Sequence, residues 1–134
     1  MDKIGRQTLI CGDVIEVLKK IPDKSVSLIV TDPPYNLNKD YGKSNDLLEF
    51  NDYIGFSKNC LLECARILKD DGSIYAFKGM RYISCTYHIL ERGLGFTFNS
   101  WITWFYTQGI GKTKGFSPRH DDILQRILRS SHSI

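Results

Sequence analysis

Thr31-Asp32-Pro33-Pro34-Tyr35 is the segment whose residue types and order could do chemistry. It directly follows Val26-Ser27-Leu28-Ile29-Val30, a β-branched run that reads as a buried parallel strand. The C-terminal end of such a strand is where α/β proteins place their ligands. Two prolines there lock φ and remove two backbone N–H donors, so the turn is rigid and its carbonyls are left as acceptors. Asp32 adds a carboxylate, and Tyr35 adds a flat aromatic face. This set suits a planar ring that bears an exocyclic amino group. The Asp32 carboxylate and the Pro33 carbonyl can accept both amino hydrogens, which turns the nitrogen lone pair toward an electrophile, and Tyr35 can stack on the ring. A base inside a duplex reaches such a turn only by flipping out of the stack. The ordinary alternative is a rigid turn without chemistry. Asp before the prolines and Tyr-Asn after them weigh against it.

The elements that must position this turn alternate between strand and helix, which predicts an α/β sheet. Thr8 to Cys11 reads as a strand ended by Gly12-Asp13, and Val14 to Ile21 as a helix closed by Pro22. Asn36 to Asp46 reads as a polar loop. Tyr53 to Lys69 reads as a long amphipathic helix with Ile54, Leu61, Leu62, Ala65 and Leu68 inward and Asp71-Gly72 as its C-terminal stop. Ser73 to Phe77 is the next strand, Arg81 to Arg92 a helix stopped by Gly93, and Phe96 to Tyr106 an aromatic strand expected to pack in the core and at an edge. Asp121 to Leu128 fits either a strand or a helix.

Length and composition bound the rest. A chain of 134 residues with 42% hydrophobic and 25% charged residues forms one domain, 1–134, with enough apolar content for a core. No apolar run approaches the ~18–20 residues that cross a bilayer, and the N-terminus lacks an apolar signal region, so a cytoplasmic protein without membrane contact is expected. The four cysteines, Cys11, Cys60, Cys64 and Cys85, make no expected disulfide framework. Cys60 and Cys64 share a helix face, but no second pair stands at ligand spacing, so they read as small buried hydrophobes and no metal is expected. His88 reads as a packed or surface residue. A net charge of +3 is compatible with nucleic acid and does not argue for it.

The stretch from Gly12-Asp13 through Asp23-Lys24-Ser25-Val26-Ser27-Leu28-Ile29-Val30-Thr31-Asp32-Pro33-Pro34-Tyr35-Asn36 resembles the DNA amino-methyltransferases, which make N6-methyladenine or N4-methylcytosine. The resemblance is to the permuted subgroup, with the DPPY motif near the N-terminus. It continues through Ala65 to Tyr75, Trp101-Ile102-Thr103-Trp104 and Arg119-His120-Asp121-Asp122-Ile123-Leu124, covering about residues 8 to 125. It implies S-adenosylmethionine as cofactor and double-stranded DNA as partner. Asp32, Pro33, Pro34 and Tyr35 match the catalytic motif, and Asp32 also lies toward the cofactor. Asp13 matches an acidic position near the adenosine part of the cofactor, and equally reads as a helix N-cap. Asp at the first motif position leans toward adenine N6; cytosine N4 is the alternative.

The family's Phe-x-Gly-x-Gly cofactor motif is expected downstream in this subgroup, and no such segment follows Asp121. The resemblance implies a Rossmann-like sheet in the order 3-2-1-4-5-7-6. The Leu9 strand would be strand 3 and the Val26 strand strand 4, with strands 1 and 2 missing between them. A partial sheet follows, with the Val26 strand as an exposed apolar edge. The polar close Arg129-Ser130-Ser131-His132-Ser133-Ile134 suggests a frameshifted or prematurely stopped chain of low activity, or a half-enzyme completed by a dimer mate or another chain.

Thr107 to His120 contains Lys112, Lys114 and Arg119, three glycines and no acid. With His120 it reads as a phosphate-contacting loop at a DNA cleft, or else as a solvated surface loop. No strong base is required, because a sulfonium is already a good electrophile and the amino proton can leave after attack; positioning and electrostatics dominate. The rival reading from another class is a non-catalytic DNA-binding or subunit-completing module. A third, methylation of an amino or amide group in RNA or protein, fits less well, since such relatives usually carry Asn where Asp32 stands.

Overall fold

The computed structural model describes residues 2–37, 47–107 and 119–128. The chain opens with a hairpin, β1 (Asp2–Ile4) and β2 (Gln7–Leu9), whose two-residue turn is begun by Gly5 at φ 62°. A short helix α1 (Val14–Leu18) leads to β3 (Val26–Thr31). The long helix α2 (Phe50–Ile67) runs straight into β4 (Leu68–Lys78). Helix α3 (Ile83–His88) widens into one π-helical turn over Ile89–Gly93, and β5 (Phe96–Phe105) and β6 (His120–Leu128) follow.

Four strands form one sheet in the order β3-β4-β6-β5, with β3 parallel to β4 and the other pairs antiparallel. This is the 4-5-7-6 half of the sheet order that the resemblance implies, and it resolves Asp121 to Leu128 as an inner strand. The Val26 strand is the predicted exposed edge, with Leu28 55% and Val30 63% exposed. The Leu9 strand departs from expectation: it pairs with β1 in a separate two-stranded sheet. The two-residue turn at Gly5 gives it a local partner, and no described strand links it to β3.

The buried stripe on α2 is Tyr53, Ser57, Leu61, Cys64 and Ile67, every third or fourth residue, of which Leu61 and Cys64 pack with Ile74, Leu124, Ile83 and Leu90 in the core. Leu62 was expected inward and is 43% exposed, because one residue past Leu61 is about 100° around the helix. Asp71-Gly72 is not the helix stop either. The C-cap is Leu68, already extended, and β4 absorbs the next residues in a bulge, since Val26 faces Leu68 and Leu28 faces Ser73. Gly72 lies folded against Leu68, where a Cβ would come within 2.6 Å of the Leu68 side chain. Trp101, Trp104 and Phe105 were expected as packing residues and are exposed along the β5 edge.

Arg126 is the most deeply buried charged side chain among the described residues, at 0% exposure. Its three guanidinium nitrogens have no hydrogen-bond partner among the described residues, and it lies 4.1 Å from the Tyr87 ring and 4.5 Å from the Phe98 ring. Arg126→Met is expected to keep the fold and raise stability by about 1–3 kcal/mol, because two cation–π contacts offset only part of the cost of an unpaired buried charge. Urea unfolding followed by tryptophan fluorescence measures this. A destabilised variant would show that the guanidinium has compensation the contacts do not reveal.

Candidate active site

The strand directions gather the candidate residues at one end of the sheet. β3 and β4 run parallel, so Thr31 and Lys78 end together, with Thr31 opposite Ala76. β6 begins at that end, with Asp122 opposite Lys78, and β5 finishes there, with Phe105 opposite His120. Asp32 to Tyr35, Lys78-Gly79, Tyr106 and Arg119 to Asp122 therefore share one rim. Lys112 and Lys114 lie outside the described residues.

Asp32 is exposed at the tip of β3. Tyr35 is half-buried and packs on Gly79. A Cβ at Gly79 would sit 3.1 Å from the Tyr35 ring, so glycine permits this approach. Burial, and then the neighbouring Asp32 carboxylate, raise the Tyr35 phenol above its ordinary range, so it remains a donor. One sequence expectation needs correction: not all of the turn's carbonyls are left open. The Tyr53 hydroxyl donates to the Pro34 carbonyl at 2.6 Å. A turn with two prolines has few N–H groups of its own, so α2 reaches in to hold it by an oxygen.

Asn36 closes the turn at its far end. It is buried, at φ 56°, and its amide donates to the Leu48 carbonyl (2.9 Å) and the Tyr82 hydroxyl (2.8 Å) and accepts from the Leu48 N–H (2.6 Å). Asn tolerates the left-handed region better than most residues, and three hydrogen bonds, one buried and two part-buried, hold it there. Behind the turn lies a cavity of about 240 Å³, lined by Val14, Pro33, Phe56, Ser57, Cys60 and Lys78 among others. The Ser57 hydroxyl is buried without a partner among the described residues. Burial pushes both the Cys60 and the Cys64 thiol up to about 11, which keeps them protonated and unreactive.

Asp13 caps α1: its Oδ1 accepts from the Ile15 N–H at 3.0 Å and the Glu16 N–H at 3.1 Å. Its Oδ2 makes neither of these bonds. At the opposite corner of the rim, Arg119 donates to the Thr107 carbonyl at 2.9 Å, and His120 Nε2 stands 3.8 Å from Asp122. Asp122 accepts from the Trp101 indole at 2.8 Å.

Sequence reasoning missed Tyr53, Tyr82 and Lys78. Lys78 Nζ donates to the Tyr53 hydroxyl at 2.6 Å. Burial brings its ammonium down to about 8, against smaller opposing pulls from Cys60 and Asp32. Its folded value lies below the ordinary 10.5, so the unfolded chain binds more protons in between. The penalty of this group on folding is full below about pH 8 and is relieved as the pH rises through that window. A signal existed in the sequence: Ile74, Ala76 and Lys78 keep a period of two, which places the lysine on the buried side of its strand.

The chain is similar to known proteins in sequence and in fold. The sequence pattern of the DNA methylases, the N6/N4 methyltransferases, matches residues 26–126. Type II methyltransferase M.HpaI of Haemophilus parainfluenzae is 62% identical over 118 residues, which is 88% of this chain and 38% of that protein. DNA adenine methyltransferase YhdJ of Escherichia coli K12 is 33% identical over 125 residues, 90% of this chain and 41% of that one. Among solved structures, the cytosine-N4-specific PvuII DNA methyltransferase superposes with a TM-score of 0.71 at 20% identity, over 87% of this chain and 47% of that chain. The present chain thus spans about two fifths of the length of these curated relatives. With the family's sequence pattern running from β3 to β6, and the same α/β fold in its solved relatives, the chain belongs to the DNA methylase family of N6/N4 methyltransferases.

Proposed function

We propose that this chain carries the target-base half of an S-adenosylmethionine-dependent DNA methyltransferase acting on the exocyclic N6 amino group of adenine. The observation that carries the reading is the Asp32-Pro33-Pro34-Tyr35 turn at the open end of β3, with the Pro34 carbonyl engaged by Tyr53 and Asp32 exposed at the strand tip. In this reading Asp32 and the Pro33 carbonyl are the acceptors for the two amino hydrogens. Tyr35 orients the carboxylate and presents its ring beside the base. The names of M.HpaI and YhdJ favour a DNA methyltransferase, and YhdJ's favours adenine; cytosine N4 is the alternative.

The residues present fit one side of the cofactor. Asp32 lines the cavity and offers an acceptor, and the Ser57 hydroxyl, without a partner among the described residues, faces the same apolar space; Asp13 stands next to Val14, another lining residue. When bound, S-adenosylmethionine supplies an electrophilic methyl group on a positively charged sulfur. This chain's own part is to hold the amino nitrogen with its lone pair aimed and to place the negative Asp32 where positive charge grows. One amino proton leaves after the nitrogen–methyl bond forms, so no basic residue is required.

Double-stranded DNA is the proposed partner, with Arg119, His120, Lys112 and Lys114 on its phosphates. The open β3 edge, with Leu28 and Val30 bare, supports a complementing chain or dimer mate that pairs there and supplies the remaining cofactor contacts. Among the described residues no helix is long and apolar enough to cross a membrane.

Incubation with unmethylated duplex and methyl-tritiated cofactor, alone and with the non-overlapping remainder of M.HpaI, tests the reading. N6-methyladenine is expected, more with the second chain, and Asp32→Ala should lower its formation at least about 100-fold. DNA binding without methylation in either mixture would favour the non-catalytic module. For the DNA interface, Arg119→Ala is expected to weaken binding on all sequences alike and to reduce the log–log salt slope by about 1. An unchanged slope in a fluorescence-anisotropy titration would remove Arg119 from the phosphate contacts.

A further inference from the structure

Lys78 occupies a position where an apolar residue would be expected. It ends β4, on the same face as the buried Ile74 and Ala76, and is itself 3% exposed. The described residues give it no ion pair. Its Nζ lies 2.6 Å from the Tyr53 hydroxyl and 4.7 Å from the centre of that ring. The hydroxyl has one proton, and that proton goes to the Pro34 carbonyl at 2.6 Å. The order of donation is therefore fixed: ammonium to phenol, phenol to carbonyl. A charged donor on a phenol oxygen strengthens the bond that the phenol itself makes.

The consequence falls on the acceptor turn. Asp32, the Pro33 carbonyl and the Pro34 carbonyl are close in sequence, and an amino group has two hydrogens to give. With the Pro34 oxygen occupied, its peptide plane cannot rotate freely, and Asp32 and Pro33 remain as the pair on offer. The charged and titratable groups that face Lys78 come from three elements: Tyr53 and Cys60 lie on α2, Asp32 lies at the end of β3, and Asp122 stands directly opposite on β6, buried and bonded to the Trp101 indole. The cavity that Lys78 lines also meets α3 at Thr86, whose hydroxyl is spent on the Tyr82 carbonyl.

We propose that Lys78 is a positioning residue: acting through the Tyr53 hydroxyl, it holds the Pro34 carbonyl and so sets which acceptors of the turn meet the target amino group. Only the last clause rests on the methyl-transfer reading; the hold on the turn does not.

Carbonyl-13C proline labelling of this chain reads the hold directly. In the parent chain the Pro34 carbonyl resonance is expected at the low-field, hydrogen-bonded position and should move upfield as the pH is raised from 6.5 to 9.5. Lys78→Arg should keep the low-field position without the pH response. Lys78→Met, a substitution that relieves a buried charge and should fold, is expected upfield and flat with pH. Tyr53→Phe should be farthest upfield. A Pro34 resonance that is the same in the parent and in Lys78→Met at every pH overturns the proposal. Where methyl transfer is measurable, Lys78→Met should lower kcat about 10–100-fold with little change in KM, and Lys78→Arg should recover part of it. Absence of transfer in the parent would count against the proposed function, and the carbonyl measurement would still decide the role of Lys78.

Discussion

Two consecutive prolines at the end of a strand have no N–H groups, and much of the structure answers that lack. A turn without donors cannot be held by the ladder bonds that hold its strand. It is held by its oxygens and by the residues at its two ends. Tyr53 takes the Pro34 carbonyl, Tyr35 packs on Gly79, and Asn36 ties the exit to Leu48 and Tyr82. Each of these needs its own support. Tyr53 must come from a helix laid across β4, which is why α2 has its buried stripe in register with the core. The lower end of α2 is fixed in turn by Arg66, which donates to the Leu18 and Ile21 carbonyls and pairs with Glu63 and Asp23. The connection from α1 to β3 is thus clamped to the helix that anchors the turn after β3.

Among the described residues the sheet is covered on one face only. Leu61, Cys64, Ile83 and Leu90 pack on Ile74 and Leu124, while Leu28, Val30, Tyr75, Ile102 and Trp104 line a broad hollow on the other side. Parallel strands normally lie buried on both faces, and an apolar edge such as β3 is a pairing surface when left open. Bare face and bare edge meet at β3, the strand that bears Asp32. A chain pairing there would approach the turn from the side opposite to Lys78 and α2.

What was legible in the sequence was local. The proline turn, the β-branched strand before it and the long helical stripe are short-range patterns, and each is present. The errors and omissions lie where distance decides. Gly72 reads as a helix stop by type, but α2 passes directly into β4 and the glycine serves a close approach to Leu68. The Leu9 strand finds a partner five residues back rather than the sheet. The aromatic run on β5 reads as core and edge packing, and β5 is an edge strand, yet Trp104 and Phe105 are bare, because hydrophobicity alone cannot say which aromatics of an edge strand are covered. Tyr53 and Lys78 are separated from Pro34 by 19 and 44 positions, and only the parallel pairing of β3 with β4 brings them together. For the proposed site, then, the reactive motif was readable and its support was not.

The charges around the turn follow one arrangement. Methyl transfer from a sulfonium to a neutral amine moves positive charge onto the amine, so a cation beside that nitrogen would raise the barrier and an anion would lower it. In the proposed site the anion, Asp32, is in direct reach of the nitrogen, and the cation, Lys78, is set one phenol behind the turn. Coulomb energy falls as the inverse of distance, so the nearer charge dominates. Lys78 is also weakened as a charge by its own burial, since an ammonium pushed down to about 8 is partly neutral in mildly alkaline solution. Tyr53 passes on the donor strength of the lysine while keeping its charge at a distance. A lysine placed directly on Pro34 would hold the carbonyl as firmly and would oppose the chemistry; one placed behind a tyrosine holds it with less opposition.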